Sequence, residues 1–264
     1  MLPPWKLDES NYAQIKEARY EVAVLPLGAT EPHNLHLPYG TDTLESTHLS
    51  SAICAEAHRR GARIILLPAL PFGTQTNHRA LPLALNLYPS TILRVVRDLV
   101  ESVVLAGIHK IVIFNSHGGN DLKPVLRELY GQTPAHLFLC FWPQVIKDVS
   151  ATLLKAPDDH AGEMETSLGL AHFPHLVARN ADGSLAADDG ATRRSRFEAI
   201  EQGWIAITRP WHLLTTNTGS GNPHAASAET GARLTEILVE RVATFLVELS
   251  ESPVDASFPF ERDR

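Results

Sequence analysis

The chain has 264 residues, 44% of them hydrophobic and 20% charged, with 30 acidic against 23 basic side chains and a net charge of −7. That length buries one full core, and the apolar fraction excludes intrinsic disorder. No apolar run approaches the ~20 residues of a membrane span, and the acidic balance speaks against nucleic acid as a partner.

The first residues, Met1-Leu2-Pro3-Pro4-Trp5-Lys6, lack the basic flank and apolar stretch of a secretory leader. Cys54 and Cys140 form neither a disulfide framework nor a zinc-ribbon spacing, so a reducing, cytoplasmic setting is expected. The 13 histidines are a lead, because histidine is the commonest metal ligand and the usual acid–base residue near neutral pH. The apolar run 22–28, β-branched at Val22 and Val24 and closed by Pro26 and Gly28, predicts a buried strand. A helical pattern runs from Thr43 to Arg60 and stops at Gly61. A second strand is expected over 62–67, ending at Pro68. Residues 69–89, broken by Pro71, Gly73, Asn77, Pro82 and Pro89, read as a long functional loop. Between Thr91 and Ala106 the positions Ile92, Val95, Val96, Leu99, Val103 and Val104 form a helical stripe. A strand over 110–115, a helix over 121–130 and a strand over 135–141 follow. Helical patterns return at 160–173 and 225–250, with a loop-rich stretch over 177–223.

Strands alternating with helices predict an α/β fold whose mainly parallel central sheet is covered on both faces. Nothing divides the chain, so one domain over 1–264 is expected. In such sheets sites lie beyond the carboxyl ends of strands. Three polar clusters stand there.

After the first strand comes Glu31-Pro32-His33-Asn34-Leu35-His36-Leu37-Pro38-Tyr39-Gly40-Thr41-Asp42. Extended residues two apart point the same way, so Glu31 and His33 can share a ligand. Asp42 can return to the same point after the Pro-Gly turn. Glu, His and Asp supply the oxygen and nitrogen donors suited to zinc, manganese or iron. The competing reading of Asp42 is a helix N-cap paired with Glu45. His36 reads as a neighbour facing substrate rather than as a ligand. After the third strand, Asn115-Ser116-His117-Gly118-Gly119-Asn120-Asp121 sets a histidine before two glycines, where backbone can approach a ligand closely. A plain glycine turn is the alternative, and neither the Rossmann nor the P-loop spacing is present. The third cluster, Asp158-Asp159-His160-Ala161-Gly162-Glu163-Met164-Glu165, places His160 in a loop before a helix and Glu165 in its first turns. Compensation of the helix dipole would explain an acid there as readily. The coincidence of all three clusters favours function.

These residues resemble the signatures of the creatininase (creatinine amidohydrolase) family. Glu31 to Pro38 with Thr41-Asp42 is similar to its E-x-H-G-x-H-L-P-x-x-T-D, and Asn115 to Asn120 to its N-G-H-G-G-N. His160-Ala161-Gly162-Glu163-Met164-Glu165-Thr166-Ser167 is similar to its H-A-G-x-x-E-T-S. Thr218-Gly219-Ser220-Gly221-Asn222-Pro223 resembles its C-terminal G-x-G-x-P segment. The matches keep family order from about residue 20 to residue 240. The resemblance implies a three-layer α/β/α metal hydrolase with two divalent ions (Zn, Mn or Fe) per subunit, assembled as a homo-oligomer, often a hexamer.

Carried over by position, Glu31, Asp42 and His117 would hold one metal, and His33, the bridging Asp42 and Glu165 the other. His160 takes the place of the acid–base histidine, with Glu165 also in the catalytic set. Such a metal pair polarises a carbonyl and delivers a hydroxide at neutral pH. The amides of Gly118 and Gly119 would face the developing oxyanion, and His36 and His78 would line the substrate pocket. The departures bear on substrate. Gly119 stands where creatininase itself has a glutamate ligand, and Ala156 where it has a gating tryptophan. Asn77-His78-Arg79-Ala80-Leu81-Pro82 keeps only part of another family stretch. Creatinine is therefore not the expected substrate.

The leading expectation is a dinuclear hydrolase cutting a C–N bond of a small cyclic amide or formamide. A second is the opening of a ketone-bearing carbocycle such as an oxidised inositol. A non-enzymatic binding protein with a degenerate site would lack a ligand position, and all five are filled. A flavodoxin-like nucleotide module would need a glycine-rich loop where Glu31-Pro32-His33 stands. The expected partner is a small-molecule substrate, with no nucleic acid and no membrane. Arg79, Trp142, Trp204 and Trp211 are candidate pocket walls.

Overall fold

The computed structural model describes residues 4–155 and 158–261. Ala156, matched above to a gating tryptophan, lies outside the described residues. Four strands, β1 (Val22–Leu27), β2 (Ile64–Leu66), β3 (Lys110–Asn115) and β4 (His136–Phe141), form one sheet in the order β2-β1-β3-β4. Every pairing is parallel, with Val22 opposite Ile64 and Lys110, and Lys110 opposite His136. Parallel strands need long crossovers, and helices supply them. In chain order these are α1 (Tyr12–Ile15), α2 (Thr41–Arg59), α3 (Pro89–Leu105), α4 (Lys123–Leu129) and α5 (Trp142–Val145). There follow α6 (Lys147–Leu153), α7 (Glu163–His172), α8 (Glu198–Glu201), α9 (Trp211–Leu214) and α10 (Ala228–Glu251).

The three layers follow from the strand sequences. Alternate residues of a strand face opposite sides, and in β1 both sides are apolar. Val22 and Val24 join a core with Leu49 and Ile53 of α2, Leu168 of α7 and Leu238 and Leu246 of α10. Ala23, Leu25 and Leu27 join a second core with Ile92, Val96 and Val100 of α3 and Val125 of α4. Burying each such aliphatic side chain contributes roughly 1.5–3 kcal/mol. Trp142, a candidate pocket wall, instead belongs to the first core and is 1% exposed.

Two contacts fix the layer that carries the site. Helix α10 packs on α7 at Gly231, where a Cβ would meet the Ser167 carbonyl oxygen at 2.0 Å, so only glycine permits the approach. The buried Lys110 ammonium donates to the carbonyls of Leu249 and Ser252, both at 2.8 Å, tying β3 to the end of α10. The region 142–153 forms two short helices that hydrophobic periodicity did not indicate, and the loop-rich stretch 177–223 contains only α8 and α9. No described helix is long and apolar enough to cross a membrane.

Candidate active site

All three polar clusters meet at the carboxyl end of the sheet. The segment after β1 supplies Glu31 and His33, α2 supplies Asp42, the turn after β3 supplies His117, and the loop into α7 supplies His160 and Glu165. Glu31, His33, Asp42, His117 and His160 are nine-tenths or more buried, and Glu165 is partly buried. The donor atoms of Glu31, Asp42 and His117 lie within 4.8 Å of one another, and so do those of His33, His160 and Glu165. A third group joins Glu31, His78 and His160 within the same span. The two carboxylate–histidine sets share an edge at Asp42, whose Oδ2 is 3.1 Å from His117 Nδ1 and whose Oδ1 is 3.5 Å from His33 Nε2. Glu31 Oε1 is 3.1 Å from His117 Nδ1, and Glu31 Oε2 is 2.7 Å from His78 Nδ1.

Backbone carbonyls set the imidazole tautomers. His117 Nε2 donates to the Thr74 carbonyl at 3.1 Å, His33 Nδ1 to that of Glu31 at 2.9 Å, and His160 Nε2 to that of Pro32 at 3.0 Å. Each ring therefore presents its other nitrogen to the carboxylates. This is how ligating histidines are oriented. Asn115 and Asn120 hold the loop that carries His117: Asn115 Nδ2 donates to the His117 carbonyl at 2.8 Å, and Asn120 accepts from the Thr74 amide at 2.8 Å. Gly119 packs so tightly that a Cβ would lie 2.2 Å from the Thr74 oxygen and 2.4 Å from His117 Nε2. No side chain fits there, a glutamate least of all.

The electrostatics describe a site that calls for cations. Burial opposes ionisation of Glu31 and Asp42, yet neighbouring histidines hold both carboxyls below their ordinary range. Burial would lower His33 and His117, but the surrounding carboxylates outweigh it, raising His33 to about 9 and His117 well above its usual value. Glu165 is pushed to about 8, chiefly by burial and then by Asp42 and Asp158. His160 goes the other way, to about 4, through burial and the charge of His33. His33 Nε2 is buried without a hydrogen-bond partner. Buried charges are costly unless paired or coordinated to metal. The donor set, three carboxylates with two or more imidazoles, fits zinc, manganese or iron.

Asp42 is not a helix cap. The N-cap position of α2 is Gly40, and the helix begins at Thr41, whose hydroxyl donates to the Pro38 carbonyl at 2.7 Å. Asp42 is thereby turned inward, and Glu45, its expected cap partner, is buried with neither oxygen hydrogen-bonded. Burial and the nearby Glu165 and Asp42 push the Glu45 carboxyl well above its usual range. Of the other expected residues, His36 is buried but turned aside, with its Nε2 2.7 Å from Thr166 Oγ1. Gly118 is exposed at the mouth with open space beside it. Trp204 is 75% exposed and touches none of these groups. Trp211 does: its ring centroid is 4.7 Å from that of His78 and 4.8 Å from that of His160. Thr74 and Glu45 had no sequence signal as site residues, one acting through its carbonyl and the other resembling a cap partner.

The fold and this site define a metal-dependent hydrolase class with a buried histidine–carboxylate centre. The chain belongs to the creatininase family: the family model described as creatinine amidohydrolase matches residues 8–246. Creatinine amidohydrolase of Pseudomonas putida is 30% identical over 249 residues, covering 86% of this chain and 89% of that one. Mycofactocin precursor peptide peptidase of Mycobacterium ulcerans (strain Agy99) is 25% identical over 234 residues, covering 87% and 86%. A crystal structure from Bacteroides fragilis NCTC 9343, provisionally described as a creatinine amidohydrolase, aligns with a TM-score of 0.86 at 33% identity, over 97% of this chain and 100% of that one. A creatininase structure named for manganese shares the fold, with a TM-score of 0.71 at 22% identity over 94% and 99%.

Proposed function

We propose that this creatininase-family hydrolase holds two divalent metal ions and cleaves the C–N bond of a small cyclic amide or formamide. The observation that carries the reading is the division of one buried carboxylate, Asp42, between His33 and His117. Glu31, Asp42 and His117 would hold one ion, and His33, Asp42 and Glu165 the other. Such ions act as Lewis acids on a carbonyl and make water nucleophilic near neutral pH.

The chain's own groups supply the rest. Water adds to the amide carbon, and His160, neutral at physiological pH, takes a proton at Nδ1 while its Nε2–H stays on the Pro32 carbonyl. The same proton passes to the leaving nitrogen as the C–N bond breaks. Among the described residues, neither the Gly118 nor the Gly119 amide donates a hydrogen bond. Both are free to face an oxyanion beside His117. His78, between Glu31 and Trp211, closes the pocket on one side. The family relatives named for creatinine and for a precursor peptide both act on amide-type bonds, which supports C–N chemistry. The reading includes a homo-oligomer of six chains.

A screen of metal-loaded protein against cyclic amides, formamides and ketoinositols, with Asp42→Ala as the blank, tests it. Turnover of an amide or formamide is expected. Turnover of ketoinositols alone would replace C–N cleavage by ring opening, and a protein that cannot be loaded with metal would end the reading.

A further inference from the structure

Three adjoining hollows surround the approach to the centre. One, of about 240 Å³, is bounded by Thr74, Gly118, Gly119, Thr208 and Arg209. A second, of about 440 Å³, shares Thr76, Asn77 and Thr208 with it and adds Arg79 and His212. A third, of about 400 Å³, reaches Arg209 from the far side past Arg193 and Arg194. The residues lining all three include four arginines and a single acid, Glu201, which is occupied by Arg194 and the Ser195 amide. On a chain of net charge −7, this mouth is a local reversal of sign.

Arg209 is held in place there. Its Nη1 donates to Asp159 at 2.8 Å, next to His160 in sequence, and its guanidinium carbon sits 5.1 Å from the centroid of the Trp211 ring. Trp211 in turn abuts His78 and His160, and its indole Nε1 is buried with no hydrogen-bond partner. A continuous contact therefore runs from a half-exposed cation to the acid–base histidine. Asp159 occupies only one corner of the guanidinium, and the remaining edge has no partner among the described residues. Arg79 has no ion-pair partner among them either. A planar guanidinium with a free edge matches a carboxylate in a two-point contact.

We infer that Arg209, seated on Trp211, selects substrates in which the scissile amide carries a carboxylate, with Arg79 adding to the attraction from the neighbouring hollow. This rests on the hydrolase reading and narrows it to an anionic amide. The carboxylate docks at the mouth, and the amide reaches past Gly118 and Gly119 toward His160. Attraction at a half-exposed mouth weakens as salt rises, so the preference shrinks with ionic strength.

Calorimetric titration of metal-loaded protein with N-formylglycinate and with the neutral N-formylglycinamide tests the inference without requiring turnover. The anion is expected to bind about tenfold more tightly, a difference of about 1.4 kcal/mol. Arg209→Gln should abolish that preference while Arg209→Lys retains part of it. Where turnover is measured, Arg209→Gln should raise KM for the anion by more than it raises KM for the neutral amide. Equal affinities in the wild type, a preference that survives in Arg209→Gln, or no binding of either compound at millimolar concentration would overturn it. Tight binding of the anion without cleavage would instead count against the hydrolase reading alone.

Discussion

The two oxygens of Asp42 are divided between two histidines, Oδ1 lying 3.5 Å from His33 Nε2 and Oδ2 3.1 Å from His117 Nδ1. Asp42→Ala is therefore expected to lose both metal ions, whereas Glu165→Ala should lose only the one shared with His33. Elemental analysis of purified variants, as ions per chain, checks this. Equal losses in the two variants would mean that Asp42 does not bridge.

His160 should matter for turnover and not for metal. Its Nδ1 lies 3.8 Å from Glu31 Oε1, longer than the carboxylate contacts of His117. His160→Ala is expected to keep its ions and lose about 10²–10⁴-fold in kcat, the usual range for a positioned acid–base group. A rate close to wild type would remove its role.

The metal-free protein should become less stable as pH rises from about 6.5 to about 9. Glu165 is raised to about 8 and His33 to about 9, so in this window the folded chain holds protons that the unfolded chain has released. Stability falls with pH wherever the folded state binds more protons. His160 and His36, lowered to about 4, pull in the opposite direction only below about 6.5. Metal replaces those protons and binds more tightly as pH rises. Thermal melts should accordingly show a falling Tm for stripped protein and a zinc-induced increase that is larger at pH 9 than at pH 6.5. A flat profile for the stripped protein would contradict the charge arrangement described above.

Gly119→Ala places a Cβ against the Thr74 carbonyl and His117 Nε2, both under 2.5 Å away. Relief must come from backbone movement, at a cost of about 1–3 kcal/mol for overpacking. The same movement breaks the hydrogen bond that fixes the His117 tautomer. Weaker metal retention on dialysis is expected, by about 10–100-fold as for other losses of a group that orients a ligand. Gly118→Ala, with open space at its Cβ, serves as the control.

Much of this was written in local sequence. The β3 run, Lys110 to Asn115, has the same limits in sequence and in structure, because a strand buried on both faces leaves an unbroken apolar signature. The histidine and acid positions were legible because each follows a strand or opens a helix. What sequence could not show depends on distance. Trp211 was one of four candidate walls, and only its packing on His78 and His160 from far along the chain sets it apart from Trp142 and Trp204. The Thr74 carbonyl has no side-chain signature at all. Asp42 and Glu45 satisfy the spacing of a cap, and only the start of α2 at Thr41 shows them turned inward.

The seat of α7 against Gly231 of α10 has a consequence for biosynthesis. Domains emerge from the ribosome N-terminal end first. The six donors, from Glu31 to Glu165, are thus translated before the helix that presses the Ser167 turn into place. Lys110 likewise waits for the Leu249 carbonyl. The helix that backs α7 is thus made after all six donors, so a growing chain presents them before their supporting layer is complete. A nascent, unsealed chain offers only loose, competing donors to whatever cation is abundant.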